Sequence, residues 1–166
     1  MKATLLLGLG DVRRGDDAFG PQVLRELQRR YALDPQVLTV EAAGVGMRTL
    51  PLLASVGHVL LVTAVRVGGM PGSLHRLEWH GRPEDLGPRL PAIRRSGIEV
   101  LRSLHFWVDP VPELLVLGVE GETSTGCALS PLVALAVHPT MDACVGELRR
   151  WGHSVTPRPA PERVGA

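Results

Sequence analysis

Three short stretches of the sequence are almost continuously apolar, and they restrict the fold more than any other feature. They cover residues 4–7, 58–65 and 114–119. Runs of this length and composition are typical of strands buried on both faces of a parallel sheet. Helical spacing of apolar side chains appears between and after them, at 23–31, 98–105 and 131–151. The chain therefore alternates strands with helices.

This alternation predicts an α/β fold, a three-layer sandwich with a largely parallel central sheet of about five strands. Residues 36–40 add a strand, and the imperfect alternation at 73–79 favours an edge strand. A helix at 46–56 is limited by Pro51, and a helix opened by Pro131 is interrupted by Pro139. We predict one domain over residues 1–153 and a flexible, Pro-rich tail over residues 154–166.

Charge and composition exclude several classes of function. The formal net charge is +1 and aromatic residues make up 4%, so neither nucleic acid nor an anionic membrane is an expected partner. The apolar run near the start is too short for a signal peptide or a membrane span. Cys127 and Cys144 form no CxxC pair, which predicts two reduced, buried thiols. We expect a cytoplasmic monomer.

Function is expected in three loops, at 8–20, 63–69 and 119–130, because ligands of open α/β sheets bind beyond the carboxyl ends of the strands. The first loop has the spacing GxGxxxxG, which is neither the dinucleotide fingerprint nor a P-loop. Asp11, Asp16 and Asp17 in this loop would repel a pyrophosphate. Glu41 could mimic a ribose-binding acid, so nucleotide binding stays as a weaker alternative.

The acidic pair Asp16-Asp17 lies at the predicted junction between the first strand and the first helix. Either carboxylate could cap the helix or favour its N-terminal dipole, an effect of about 0.5–2 kcal/mol. Alternatively, one of them points into the crevice and binds a cation. The pair alone does not choose between these uses.

Three segments together resemble the hydrogenase maturation endopeptidases. Residues 7–20 are similar to the family pattern Gly-x-Gly-Asn-x-x-x-x-Asp-Asp/Glu-x-x-Gly. Residues 59–78 resemble its Val-Asp-Ala-Val stretch and the Pro-Gly-Thr/Ser-x-x-x-Leu continuation. Residues 118–120 and 129–131 are similar to its Gly-Ile-Glu and Leu-Ser-Pro elements. The matches keep the family's order and spacing from residue 4 to about residue 151.

The resemblance implies a phosphorylase/hydrolase-like fold and a specific reaction. Family members remove a C-terminal extension from the large-subunit precursor of nickel-iron hydrogenase after nickel insertion. Nickel is then recognised in the substrate, and no tightly bound metal is expected in the protein. The resemblance places the family's metal-contacting positions at Asp17, Thr63 and Arg94, and places substrate contacts at Gly10, Asp11, Asp16 and Glu41.

Only Asp17 of the three metal-contacting positions keeps a metal ligand. A threonine hydroxyl is a poor donor to nickel, and an arginine has no lone pair to give. We hypothesise that Arg94 approaches Asp17 and replaces the metal as the local positive charge. A solvated position of Arg94 at the start of a helix is the alternative.

Three functions remain open at this stage. The first is an endopeptidase that trims the hydrogenase precursor, and the second is a catalytically silent relative that binds the immature large subunit as a maturation chaperone. The third, a small-molecule or nucleotide-binding protein, depends on fold analogy alone. The sequence offers no Ser/His/Asp, Cys/His or HExxH arrangement as a substitute for the lost ligands.

Overall fold

A computed structural model describes residues 2–43, 48–79, 106, 108–122 and 126–159. The predicted helix at 98–105, a predicted loop at 81–91 and Arg94 lie outside the described residues. In chain order the elements are β1 (Thr4–Leu9), a 3-10 helix (Gly15–Ala18), α1 (Phe19–Arg30), β2 (Tyr31–Leu33), β3 (Val37–Ala42), α2 (Leu50–Ser55), β4 (His58–Val65), β5 (Leu74–Trp79), β6 (Glu113–Glu120), α3 (Pro131–Leu135), α4 (Val137–Arg150) and β7 (Val155–Pro157).

The main sheet has five strands in the order β3-β1-β4-β6-β5. The pairs β3–β1, β1–β4 and β4–β6 are parallel, whereas the edge strand β5 runs antiparallel to β6. This confirms the α/β prediction of a mostly parallel sheet and the prediction of an edge strand near 73–79. The carboxyl ends of the four parallel strands lie at the same edge of the sheet.

Both faces of the sheet are buried, as the continuous apolar runs predict. On β4, Val59, Leu61 and Val65 belong to the cluster that includes α2 residues. The alternate residues Leu60 and Val62 belong to the cluster formed with α1 and α4. The strand period of two residues therefore assigns each side chain of β4 to one layer of helices.

The predicted flexible tail is wrong for its first residues. Residues 155–157 form β7, which pairs antiparallel with β2. The Ser154 N–H donates to the Asp34 carboxylate at 3.3 Å, and the Arg158 Nε donates to the carbonyl oxygen of Tyr31 at 3.0 Å. These contacts hold the segment despite its prolines and charges. Residues 160–166 lie outside the described residues.

The helix opened by Pro131 breaks at a position other than the predicted one. The break lies at Ala136, between α3 and α4, and Pro139 lies in the first turn of α4. Proline is tolerated there because the first N–H groups of a helix have no partner within the helix. None of the helices within the described ranges has the length and apolarity that spanning a bilayer requires.

Candidate functional site

Two glycines of the first loop allow the 3-10 helix and α1 to pack directly against the ends of β1 and β4. A Cβ on Gly10, whose φ is 151°, would lie 1.6 Å from the carbonyl oxygen of Asp17. A Cβ on Gly20 would lie 2.2 Å from the carbonyl oxygen of Val62. The glycines of the motif are thus required for close backbone packing, which brings the acidic pair to the carboxyl ends of the strands.

Asp16 joins this loop to the segment between β6 and α3. Its Oδ1 accepts the N–H of Ser130 at 2.7 Å, and its Oδ2 accepts the N–H of Glu122 at 2.8 Å and the hydroxyl of Ser130 at 3.0 Å. The residue is 6% exposed. The sequence suggested helix capping or cation binding for this pair of acids, and these bonds of Asp16 correspond to neither role. Its carboxylate connects two loops that are distant in sequence.

Asp17 is half-buried and lines a cleft of about 290 Å³ at this edge of the sheet. The described residues lining the same cleft include the carboxylates of Asp16 and Glu122, three arginines and one cysteine: Arg13, Arg14, Arg66 and Cys127. The side chains of Arg13 and Arg14 are 84% and 64% exposed. The outer part of the cleft therefore carries positive charge, and carboxylates lie deeper.

Cys127 corrects one expectation from the sequence. Its thiol is exposed and belongs to the cleft, whereas the sequence predicted two buried thiols. Cys144 is buried as predicted, and burial raises the pKa of its thiol to about 12. No sequence motif surrounds Cys127, so the sequence did not indicate that its thiol is exposed in a cleft.

Thr63 lies near the carboxyl end of β4, in register with Gly118 of β6. It is 5% exposed, and its hydroxyl donates to the carbonyl oxygen of Ala64 at 3.3 Å. Its neighbours in sequence, Val62 and Ala64, pack on the side of α1 and α4, so Thr63 faces the side of α2. The described lining of the cleft includes Asp17 and does not include Thr63.

A second cleft, of about 310 Å³, contains three of the predicted substrate-contacting residues. Gly10, Asp11 and Glu41 all line it, and Asp16 does not. Arg13 lines both clefts, so the segment around Arg13 forms the wall between them. The structure therefore divides the predicted substrate positions between two adjacent clefts.

Ion pairs fix the two acids of the second cleft. The backbone N–H and the guanidinium of Arg13 both donate to Asp11 Oδ1, at 3.0 and 3.3 Å, and these bonds hold the pKa of Asp11 below its usual value. Glu41 receives three bonds from Arg25, with Nε donating to Oε1 at 2.9 Å and to Oε2 at 3.2 Å, and Nη2 donating to Oε2 at 2.7 Å. These bonds therefore hold both carboxylates in fixed orientations.

Glu120, the last residue of the motif segment 118–120, positions the loop that follows β4. Its buried carboxylate accepts the N–H groups of Val67 and Gly68 at 3.1 and 3.2 Å, and His75 Nε2 lies 3.4 Å from Oε2. These contacts fix the loop between β4 and β5, which carries Arg66 into the first cleft. The signal was present as an acidic residue ending an otherwise apolar strand.

The described residues do not fit a metal centre held by this protein. No cluster of three or more His, Cys, Asp and Glu side chains with suitable positions occurs among them. Thr63 supplies a neutral hydroxyl that is already bonded to a backbone carbonyl.

Comparison with known proteins gives a consistent group of relatives. A family model described as hydrogenase maturation protease matches residues 21–147. The hydrogenase expression/formation protein HoxM of Cupriavidus necator is 28% identical over 157 residues, covering 93% of this chain and 78% of the relative. The hydrogenase 2 maturation protease of Escherichia coli is 26% identical, covering 94% and 96%. The structure of the hydrogenase maturating endopeptidase HybD from E. coli superposes with a TM-score of 0.82 at 25% identity, covering 94% of this chain and 98% of that one.

Proposed function

Because the chain belongs to the hydrogenase maturation protease family, we propose that it removes the C-terminal extension of a nickel-iron hydrogenase large-subunit precursor after nickel insertion. The observation that supports this most directly is the position of Asp17. It is the first of the three metal-contacting positions that the family resemblance implies, and it lines the cleft at the carboxyl ends of the parallel strands. Ligand sites of α/β sheets occur at this edge.

In this proposal an extended peptide lies along both clefts and passes Asp17. They share Arg13 as a common wall, and their volumes are about 290 and 310 Å³. Gly10, Asp11 and Glu41 would contact one part of the segment and Asp17 another. Asp16 would act indirectly, by holding the loop that carries Glu122.

Nickel in this proposal belongs to the substrate. Asp17 offers the only carboxylate at the two metal-contacting positions that lie within the described residues, since the other is Thr63. A single carboxylate binds a divalent ion weakly, so the precursor's own ligands would have to hold the nickel. The chain's part is then to receive the segment next to the metal and to orient it.

A catalytically silent relative is the second candidate function. It would bind the immature large subunit as a maturation chaperone without cutting it. Thr63 favours this candidate. It is buried, its hydroxyl donates to the carbonyl oxygen of Ala64, and it is not among the described residues that line the cleft, so in this candidate it takes no part in bond cleavage. Both candidates use the same cleft and the same partner.

Intact-mass measurement of a nickel-loaded precursor incubated with the protein separates the candidates. Loss of a C-terminal peptide supports the protease, and a stable complex with uncut precursor supports the chaperone. Asp17→Asn should abolish cleavage, and nickel-free precursor serves as the substrate control. The double substitution Thr63→Asp and Arg94→His should raise the cleavage rate if missing ligands limit it. Absence of both cleavage and binding would rule out the proposal.

A further inference from the structure

An exposed apolar surface lies beside the first cleft. It consists of Met70 in the turn between β4 and β5, and of Leu132 and Leu135 on α3; we call these three residues the apolar rim. Met70 is 80% exposed, Leu135 73% and Leu132 48%. Contiguous exposed apolar side chains mark interaction sites more often than isolated ones do. Methionine in particular adapts to surfaces of varied shape.

The turn that contains Met70 packs against the start of α3, which carries the two leucines. The N–H of Ser73 donates to the carbonyl oxygen of Met70 at 3.0 Å, which closes a tight turn. Gly72, the third residue of that turn, is packed against α3, because a Cβ there would lie 2.7 Å from the carbonyl oxygen of Leu132. Leu132 and Leu135 are three residues apart on α3 and therefore share a face.

Both halves of the rim are attached to the cleft by buried carboxylates. Glu120 binds the N–H groups of Val67 and Gly68, directly after the cleft residue Arg66 and shortly before Met70. Asp16, itself a cleft residue, binds the N–H and hydroxyl of Ser130, the residue before α3. These bonds thus connect both halves of the rim to segments that line the cleft.

The charges around the cleft indicate which kind of protein surface would bind there. The exposed guanidinium groups of Arg13, Arg14 and Arg66 face outwards, whereas Asp16 is buried. A protein surface with apolar side chains bordered by acidic residues would complement the rim and these arginines together. A ligand that occupied only the cleft would leave the rim exposed.

We propose that the apolar rim is the docking surface for the folded body of the large-subunit precursor, while the cleft receives its C-terminal segment. This inference depends on the proposed function for the identity of the partner. It adds a second contact area, outside the cleft, that would select the folded precursor over unrelated C-terminal peptides. Binding energy at protein interfaces is concentrated in a minority of the contacting residues.

The test is the affinity of immobilised nickel-loaded precursor for the double variant Met70→Ser, Leu135→Ser. Both side chains are largely exposed, so we expect folding to be unaffected, and the thermal midpoint checks this. We expect the Kd for the precursor to rise at least about tenfold. Leu38→Thr, which alters an exposed leucine on the opposite edge strand β3, is the matched control and should leave the Kd unchanged.

A synthetic peptide of the C-terminal extension is the second arm of the test. Its affinity should be equal for the wild-type protein and the rim variant, because the peptide reaches only the cleft. An unchanged Kd for the folded precursor, or an equal loss with the peptide, would overturn the inference alone. A wild-type dimer that the rim variant dissociates would assign the rim to a second copy and also overturn it. Failure of the wild-type protein to bind any precursor would remove the proposed function as well.

Discussion

Replacing Asp16 by Asn tests whether a buried carboxylate holds the loops of the site together. The side chain of Asn has nearly the same shape but only one acceptor oxygen, so its amide would face one of the N–H groups of Glu122 and Ser130. A lost hydrogen bond to a charged group in a buried position costs about 1.5–3 kcal/mol. For a domain of this size, that loss lowers the urea midpoint of unfolding by about 1 M.

The assay is urea unfolding followed by circular dichroism, with Glu41→Gln as the matched control. Glu41 accepts three hydrogen bonds from one partner, Arg25, but the pair is exposed to solvent, which screens the attraction. We expect a much smaller loss in the free energy of unfolding for Glu41→Gln than for Asp16→Asn. Equal losses would refute the argument that burial gives Asp16 its structural role.

Three further predictions concern the packing of Gly20, the thiols of the two cysteines and the partly buried imidazole of His58. Gly20→Ala should lower the free energy of unfolding by at least about 2 kcal/mol, because its Cβ would lie 2.2 Å from a carbonyl oxygen of β4; Gly146→Ala, with open space around it, should not lower it. Iodoacetamide should modify Cys127 in the folded protein and Cys144 only after unfolding, as peptide mass mapping would show. Burial lowers the pKa of His58 in the folded protein. As the pH falls below about 6.5, His58 is therefore protonated in the unfolded chain before it is protonated in the folded protein, and the free energy of unfolding decreases. His58→Gln should reduce that loss in chemical unfolding measured between pH 7 and pH 5.

The strands of the main sheet could be predicted because their signal is local. Continuous apolar runs such as Leu5–Leu7 and Val59–Val62 have no other stable location than the interior of a covered sheet. The short strands β2 and β7 could not be predicted in the same way. Their pairing depends on contacts such as Ser154 with Asp34, which are 120 residues apart in sequence.

The family motif predicted Asp17, Gly10, Asp11 and Glu41 as site residues of one crevice, whereas in the structure they line two adjacent clefts. It did not reveal that Asp16 binds partners 106 and 114 residues away, since such pairing leaves no local pattern. The exposure of Cys127 could not be predicted either, because the burial of a lone cysteine depends on the packing of its loop.

In the proposed function, the cleft containing Asp17 and Cys127 receives the C-terminal segment of the precursor. The most direct measurement is the alkylation rate of Cys127, followed by mass spectrometry of its peptide, in the presence of full-length precursor or of large subunit lacking the extension. Full-length precursor is predicted to slow the modification of Cys127 in a saturable manner, and far more than the shortened subunit does. Equal alkylation rates of Cys127 with full-length precursor and with the shortened subunit would contradict binding of the C-terminal segment in this cleft.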